Sequence, residues 1–244
     1  GHDDWISGIV YLPEGDRVVT CSWDKTVRLW DATTGEEEGE RMEHGAGVRC
    51  LAVTKDGKRI VSGDYDGELK VWEVETRKLV EMWEGHEGRI NSVTISPDGE
   101  FAASGDSRGR IVIREAKSGG EIRDSIETGD CVYSLCFSPS GETIVYLFSG
   151  SSDCTICKWD SDTGGAVGEP WQEHTSLINS LALSPDGTHI SSASDDQTIC
   201  FWHTDSGSRV GEPLEHQGKV RALAFSPSGE FIAGGGEDYT LSIW

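Results

Sequence analysis

Short apolar runs alternate with polar, glycine-containing segments along the whole chain. In one group Ile90, Val93 and Ile95 form a first run, and residues 111–113 form another. Runs of this length and spacing predict β-strands, and none has the 3.6-residue spacing of a helix. The Ser-Pro-Asp-Gly segment at 96–99 predicts a tight turn, because Pro fixes φ at one turn position and Gly accepts a positive φ at another. The pattern therefore predicts an all-β chain.

This pattern recurs with a period of 42 to 45 residues. The period is marked by five tryptophans and one arginine, at Trp30, Trp72, Arg114, Trp159, Trp202 and Trp244. The turn segment recurs at 96–99, 138–141, 184–187 and 226–229, with degenerate copies at 12–15 and 54–57. Six repeats of several short strands each, at this period, predict a β-propeller with one blade per repeat.

In these recurring turn segments and Trp positions, the chain resembles WD-repeat β-propellers over essentially its full length. Gly-His opens repeats at 1–2 and 85–86, and Glu-His replaces it at 43–44, 173–174 and 215–216. The Val-Gly-Glu-Pro linkers at 167–170 and 210–213 resemble the repeats of fungal NACHT-type incompatibility and innate-immunity proteins. The resemblance implies one propeller over residues 1–244, its six four-stranded antiparallel blades at about 1–42, 43–84, 85–126, 127–171, 172–214 and 215–244.

The last blade is expected to differ from the others. Each outer strand follows the Trp of its repeat, and Trp244 is the last residue of the sequence. Blade 6 is therefore expected to have three strands and an open edge. An open edge favours pairing with another chain, so self-association through this blade is a further expectation.

Charge and cysteine content limit the partners. The chain has 21 Lys and Arg against 43 Asp and Glu, a formal net charge of −22. Such an excess of acid disfavours binding to nucleic acid and to anionic membranes, both of which need basic residues. There is no apolar run of about 18 residues that could span a membrane. The seven cysteines follow no disulfide framework, which indicates free thiols and a cytoplasmic location.

Three repeats carry His, a hydroxyl residue, Asp and Trp at constant spacing, which superficially resembles a hydrolase triad. A catalytic site occurs once, whereas this set recurs with the period, so we interpret it as structural. The resemblance implies a buried hydrogen-bond chain from Trp to hydroxyl to imidazole to carboxylate. The residues assigned to it are His2, Thr20, Asp24 and Trp30; His44, Ser62, Asp66 and Trp72; and His174, Ser192, Asp196 and Trp202.

The remaining repeats depart from this set, and blades 3 and 4 are expected to be the least regular. Repeat 3 has Arg108 and Arg114 in place of Asp and Trp, so its network is expected to be absent. Repeat 4 has Thr128 in place of His and three extra residues around 146–148, which predict a bulge or an extended hairpin.

No other motif indicates catalysis, a cofactor or a metal. Cys154 and Cys157 lack the second ligand pair of a zinc site and the helix of a redox motif. The segment at 160–164 resembles a calcium loop only faintly, because Trp171 stands where the bidentate Glu belongs. We expect no enzyme activity, no cofactor and no metal ligand.

The resemblance places binding residues at the start of each innermost strand and just before each structural Asp. The residues so assigned are Trp5, Trp23, Arg49, Tyr65, Arg89, Asn91, Tyr133, Asn179, Lys219 and Arg221. They are rich in aromatic and basic side chains, which favours an acidic or phosphorylated peptide. The predicted function is a non-catalytic protein- or peptide-binding scaffold, an interaction or sensor module from a larger signalling protein. A glycan-binding lectin is the alternative.

Overall fold

The computed structural model describes residues 1–117, 119–138 and 146–244. These residues form 23 β-strands in six antiparallel sheets, and none of them lies in a helix. The chain divides into two compact units, residues 1–129 and residues 130–244, with three sheets in each. Every sheet is a propeller blade, so the predicted all-β class and the six blades are confirmed.

The first unit contains three four-stranded blades whose strands pair in chain order. Blade 1 has β1 (Ile6–Tyr11), β2 (Arg17–Ser22), β3 (Thr26–Asp31) and β4 (Glu37–Glu43). Blade 2 has β5 (Val48–Val53), β6 (Arg59–Asp64), β7 (Leu69–Glu73) and β8 (Leu79–Trp83). Blade 3 has β9 (Ile90–Ile95), β10 (Phe101–Asp106), β11 (Arg110–Glu115) and β12 (Ile122–Glu127).

The second unit contains two four-stranded blades and one with three strands. Blade 4 has β13 (Val132–Phe137), β14 (Tyr146–Ser151), β15 (Thr155–Asp160) and β16 (Trp171–Gln172). Blade 5 has β17 (Ile178–Leu183), β18 (His189–Ser194), β19 (Thr198–His203) and β20 (Arg209–Glu215). Blade 6 has β21 (Val220–Phe225), β22 (Ile232–Gly236) and β23 (Leu241–Ile243). The three-stranded last blade is confirmed, while self-association through its edge stays a prediction.

The core of each unit lies between adjacent blades. In the first unit, Val19 and Leu29 of blade 1 lie in one buried cluster with Val48 and Ile60 of blade 2. In the second unit, Ile156 of blade 4 lies in a cluster with Ile178 and Ile190 of blade 5. Complete burial of such a side chain contributes about 1.5–3 kcal/mol, so contact with the neighbouring blade stabilises each sheet.

The turn segments fold as their sequence predicts. In blade 3, the Gly99 N–H donates to the Ser96 carbonyl at 2.8 Å and the Ser96 hydroxyl donates to Asp98 Oδ1 at 2.5 Å. The Ser96 hydroxyl also accepts the Phe101 N–H at 2.9 Å. Side chain and backbone together fix the register of the β9–β10 hairpin. Pro139, Ser140 and Gly141, the corresponding turn of repeat 4, lie outside the described residues.

The insertion in repeat 4 lengthens a hairpin. The Ser96 N–H of blade 3 donates to a carbonyl five residues later, whereas the Ser138 N–H of blade 4 donates to Tyr146, eight residues later. The three extra residues therefore lie between β13 and β14. Residues 146–148 pair with β15 in continuous register, so the alternative of a bulge at that position is wrong. Blade 3 keeps four strands of six residues each, so its predicted irregularity is also wrong.

Two equivalent turn glycines differ in what surrounds them. Gly35 and Gly207 have φ of 71° and 68°, a region that disfavours any residue with a Cβ. A Cβ at Gly35 would meet no atom within 4 Å, whereas one at Gly207 would overlap the indole of Trp171. Trp171 is buried and stacks on Trp202 at 5.8 Å, so it has little freedom to move.

We therefore expect Gly207→Ala to destabilise the protein more than Gly35→Ala does. Both changes carry the cost of a left-handed backbone, about 1–2 kcal/mol. Gly207→Ala adds overpacking against Trp171, about 1–3 kcal/mol more. Urea unfolding of the two variants measures the difference, and equal free energies of unfolding would contradict the contact.

Within the described part of the chain, no helix is long and apolar enough to cross a membrane.

Candidate functional site

A β-bulge lies near the start of the innermost strand in all six blades. In each case the ladder between the first two strands skips one residue of the innermost strand. A bulge turns the side chain of the skipped residue away from the regular alternation of the sheet. The skipped residues are Ser7, Arg49, Asn91, Tyr133, Asn179 and Arg221, and all but Ser7 are among the binding residues assigned from the family resemblance.

Bulged residues also connect neighbouring blades within each unit. The Ser7 hydroxyl of blade 1 donates to the Val48 carbonyl of blade 2 at 2.5 Å. In the second unit, the Asn179 amide of blade 5 donates to the Val220 carbonyl of blade 6 at 2.8 Å. Val48 and Val220 both begin innermost strands, so the same contact occurs in both units. The bulges thus lie on a fixed framework.

The first unit carries a continuous row of three aromatic side chains and one arginine, which crosses its three blades. Trp5 and Trp23 of blade 1 have ring centroids 5.3 Å apart, and Trp23 meets Tyr65 of blade 2 edge-on at 5.1 Å. The Arg89 guanidinium of blade 3 lies 5.8 Å from the centre of the Tyr65 ring. Trp5 is 73% exposed, while Trp23, Tyr65 and Arg89 are partly exposed. We call these four residues the aromatic row.

Two arginines of the first unit, Arg89 in the row and Arg49 in blade 2, have no carboxylate partner among the described residues. Arg49, on the bulge of blade 2, and Arg89 are both half-buried, and the Nε atom of each is buried without a hydrogen-bond partner. Arginine has five donors in a planar fork that matches carboxylate and phosphate groups. The first unit therefore combines an aromatic surface with two cationic groups available to a ligand.

The basic residues of the second unit are paired within the protein instead. Lys219 Nζ lies 2.9 Å from Asp195 Oδ2, and an Arg221 nitrogen lies 2.8 Å from Asp195 Oδ1. Arg221 also contacts Glu237 and donates to Asn179 Oδ1 at 2.7 Å. Partial burial opposes ionisation of Asp195, but hydrogen bonds from Asn179 and Lys219 and the charge of Arg221 outweigh it. The pKa of Asp195 therefore lies below its usual value.

Tyr133 occupies the bulge of blade 4 and is half-buried. Asn91, on the bulge of blade 3, is almost fully buried. The structure thus brings Trp5, Trp23, Tyr65 and Arg89 into one row, places Arg49 on the bulge of blade 2, and joins Asn179, Lys219 and Arg221 in the second unit.

Hydrogen-bond networks of the predicted type hold blades 1 and 5 together. In blade 1, His2 contacts Thr20 Oγ1 at 2.6 Å and Asp24 Oδ2 at 2.8 Å, and the Trp30 indole donates to Thr20 at 2.7 Å. In blade 5, the corresponding distances are 2.7 Å from His174 to Ser192, 2.8 Å from His174 to Asp196, and 2.8 Å from Trp202 to Ser192. Each network joins the second and third strands to the segment that precedes the first.

A family model described as WD domain, G-beta repeat matches the chain six times. The matched residues are 1–31, 36–73, 77–113, 122–160, 167–203 and 207–244. The chain belongs to the WD40 repeat family. From the second match onward, each match runs from the fourth strand of one blade to the third strand of the next, so a family repeat is offset from a blade by one strand.

Several relatives of this chain are fungal proteins. A probable cytosolic iron-sulfur protein assembly protein 1 of Botryotinia fuckeliana is 37% identical over 62 residues, which are 23% of this chain and 14% of the relative. Nuclear distribution protein nudF 2 of Aspergillus clavatus is 38% identical over 65 residues, with the same two shares. Nuclear distribution protein PAC1 of Yarrowia lipolytica is 42% identical over 57 residues, 21% of this chain and 12% of the relative. These matches therefore span a small part of each relative's length.

In this WD40 chain the structural carboxylate of blade 2 is Asp64, and its assignment to Asp66 is wrong. His44 contacts Asp64 Oδ2 at 3.1 Å and Ser62 at 2.7 Å, and the Trp72 indole donates to Ser62 at 2.8 Å. The Asp66 side chain is exposed. Asp64 ends β6, where its other oxygen accepts the backbone N–H groups of Asp66 and Glu68.

Blade 3 has the same arrangement as blade 2, so the prediction that its network is absent is wrong. His86 contacts Asp106 Oδ2 at 2.9 Å and Ser104 at 2.7 Å. The Trp of this WD40 repeat is absent, and Arg114 is buried in its place, 5.8 Å from the centre of the Trp83 ring. Burial, together with the nearby charge of Arg110, lowers the pKa of Arg114 to about 10.

The residue two positions before the expected Asp distinguishes the two arrangements. In blades 1 and 5 it is a serine, Ser22 or Ser194. Its hydroxyl accepts the backbone N–H of the Asp two residues later, Asp24 or Asp196. In blades 2 and 3 it is an aspartate that contacts the histidine itself. An Asp at this position is the sequence signal that identifies Asp64 and Asp106.

Blades 4 and 6 have incomplete networks. In blade 4, the Trp159 indole donates to Ser149 at 2.8 Å, and Asp153 binds Thr155. In blade 6, Gly234 replaces the hydroxyl residue, and His216 lies 3.7 Å from Asp238. Each of these two blades lacks one member of the set in sequence, as blade 3 lacks the Trp.

Two groups of potential ligands serve structural roles. Among the described residues, His44, Asp64 and Glu68 lie close enough to share a metal ion, but both nitrogens of His44 already contact Asp64 and Ser62. Cys154 and Cys157 are free thiols, and burial raises the pKa of both. Reactive thiols need the opposite shift, which favours the interpretation of ordinary cysteines.

Proposed function

We propose that the chain is a non-catalytic scaffold that binds protein or peptide segments, with the aromatic row of the first unit as its main contact surface. The observation that carries the proposal is the continuity of this row across three blades, from Trp5 to Arg89. Tryptophan, tyrosine and arginine are the residues that most often dominate binding energy at protein interfaces. Trp5 also presents a large apolar surface to solvent.

The ligand that fits this surface carries an apolar or aromatic side chain and an acidic or phosphorylated group. The aromatic row would contact the apolar side chain, and Arg49 and Arg89 would pair with the anionic group. The second unit contributes less to anion binding in this proposal, because Lys219 and Arg221 already have Asp195 and Glu237 as partners.

The wider context follows from the family. WD40 propellers commonly act as interaction modules, and we propose that residues 1–244 serve as one such module, a sensor or scaffold in a larger fungal signalling protein. The linkers at 167–170 and 210–213 and the fungal sources of the relatives support this origin. Seven free cysteines and a relative named for cytosolic assembly support a cytoplasmic location.

Selection of peptides on the purified chain tests the proposed surface. A displayed library of random 12-residue peptides supplies the probes, and the best binders are measured against Trp23→Ala. Trp23 is the central member of the row, so we expect its loss to weaken binding by about 30-fold or more, equivalent to about 2 kcal/mol. Arg49→Gln and Arg89→Gln should each reduce affinity for acidic peptides and flatten its dependence on salt.

Tyr239→Asn is the matched control, because Tyr239 is a 99% exposed aromatic residue outside the row. It should leave affinity unchanged, and circular dichroism of each variant verifies folding. Peptides that bind Trp23→Ala as well as the original chain would overturn the proposed surface. A glycan array run in parallel tests the lectin alternative, which glycan binding without peptide binding would support.

A further inference from the structure

Two of the seven histidines lie outside the blade networks. His2, His44, His86, His174 and His216 all stand at the network position of their blades. The remaining two, His189 and His203, are both in blade 5. They lie directly opposite each other on adjacent strands, His189 beginning β18 and His203 ending β19.

The two imidazoles face each other on the same side of the sheet. Their ring centroids are 4.8 Å apart at an angle of 41°, as expected for directly opposed residues of an antiparallel pair. His203 is exposed, and His189 is partly exposed. Solvent and solutes therefore reach both rings.

The hydrogen bonds leave nitrogen atoms available. His189 Nδ1 lies 2.7 Å from the Thr188 hydroxyl, which leaves Nε2 as the nitrogen for another partner. No described residue hydrogen-bonds to the His203 ring. Asp186 lies nearby, where Thr188 donates to its Oδ2 at 2.9 Å and its charge acts on His189. An anionic group therefore lies beside the pair without occupying it.

This pair is specific to blade 5. The same cross-strand register in the other four-stranded blades holds a basic or aromatic residue opposite an acid: Arg17 and Asp31, Arg59 and Glu73, Phe101 and Glu115, and Tyr146 and Asp160. The repeat does not require imidazole at these positions. The pair thus has no role in the fold that the other blades share.

We propose that His189 and His203 form a chelating site for a divalent transition metal of the class that prefers imidazole, such as Zn²⁺, Ni²⁺ or Cu²⁺. Two nitrogens that share one tetrahedral zinc at 2.0–2.1 Å lie about 3.3 Å apart. Rotation of the two side chains brings the facing rings to that separation. Mg²⁺ and Ca²⁺ prefer oxygen ligands and are not expected to bind.

The site shares no residue with the proposed peptide surface. Within blade 5, Asp195 lies at the opposite end of β18 from the site, because His189 is the first residue of that strand and Asp195 follows its last. A metal bound by both histidines would join β18 to β19 at this end. Such binding would raise the melting temperature in proportion to the logarithm of metal concentration above its dissociation constant.

Titration of the purified chain with Ni²⁺, followed by calorimetry and by the broadening of backbone amide signals in nuclear magnetic resonance, tests the proposal. We expect one site per chain, with paramagnetic broadening centred on residues 189–190 and 202–203. His189→Asn and His203→Asn should each weaken binding at least about tenfold, since loss of an outer-sphere partner alone commonly costs that much. Zn²⁺ should compete with Ni²⁺, and Mg²⁺ should not.

Asp205→Asn is the matched control, since it removes an exposed charge from the same hairpin without touching either imidazole. It should leave Ni²⁺ affinity unchanged. Any Ni²⁺ binding that remains in the double variant His189→Asn/His203→Asn measures binding at other places on this acidic chain. The proposal is overturned if Ni²⁺ does not bind, or if the double variant binds Ni²⁺ as tightly as the original chain. It is also overturned if Mg²⁺ displaces Ni²⁺, or if Asp205→Asn weakens Ni²⁺ binding in place of the histidine variants.

Discussion

Asp64→Ala should lower the free energy of unfolding by about 3–5 kcal/mol, whereas Asp66→Ala, only two residues later, should change it by less than about 0.5 kcal/mol. The Asp64 side chain is 0% exposed and contacts His44, which is equally buried. Its removal leaves an imidazole and two backbone N–H groups without their acceptor. The side chain of Asp66 is exposed and can be truncated with little effect.

Urea unfolding at neutral pH, followed by tryptophan fluorescence, measures both values. Blade 3 offers a second matched pair, because Asp106→Ala removes the His86 partner and Arg108→Ala changes an exposed residue of the same turn. In blade 5 the carboxylate that contacts the histidine is at the later position, so Asp196→Ala should strongly lower the free energy of unfolding. If Asp66→Ala were as destabilising as Asp64→Ala, the assignment of the blade 2 network would be incorrect.

Acid should unfold the protein steeply below about pH 4. Burial opposes ionisation of Asp24, Asp64, Asp106 and Asp196, but hydrogen bonds from histidine, hydroxyl and backbone groups outweigh it. The pKa of each therefore lies below its usual value of about 3.9 in the folded protein. Between the folded and unfolded pKa values the unfolded chain binds more protons, so stability falls as pH falls. Four such groups give a slope of up to about 5 kcal/mol per pH unit.

The contribution of these carboxylates is complete above their unfolded pKa, so it should not vary at neutral pH. Urea unfolding between pH 3 and pH 7 gives the slope. The double variant Asp64→Asn/Asp106→Asn should be less stable at pH 7 and should lose up to about 2.7 kcal/mol per pH unit of the acid slope, the share of two such groups. Asp66→Asn should keep the full slope, and an undiminished slope in the double variant would show that other groups govern acid unfolding.

Most of the fold could be predicted from the sequence because the chain repeats with a period of 42 to 45 residues. Turn segments such as 96–99 and the recurring Trp positions mark where each strand begins and ends, because Pro fixes φ in the turn, Gly accepts its positive φ, and the Trp recurs once per repeat. The six blades and the three-stranded last blade follow from counting these marks. The hairpin after Ser138 was predicted in length but not in position, since strand pairing decides where extra residues are placed.

The site was less predictable, because its geometry depends on contacts between residues that are distant in sequence. Lys219 and Arg221 look like free cations until blade 5 brings Asp195 beside them. Asp64 and Asp66 are the same residue type, and only the turn decides which carboxylate reaches His44. The His189–His203 pair was missed because the two residues lie 14 positions apart and meet only through the register of β18 and β19.

In all six innermost strands, the bulge marks a position at which the residue can vary while the strand pairing is kept. A residue that the ladder skips takes no part in strand pairing, so substitution there leaves the hydrogen-bonded register intact. The six residues now at these positions have different chemistry, from serine to tyrosine to arginine. New recognition properties could therefore arise one blade at a time, by exchange at a single codon, and a library randomised at positions 49, 133 and 221 would sample binding surfaces while keeping the interblade hydrogen bonds of Ser7 and Asn179.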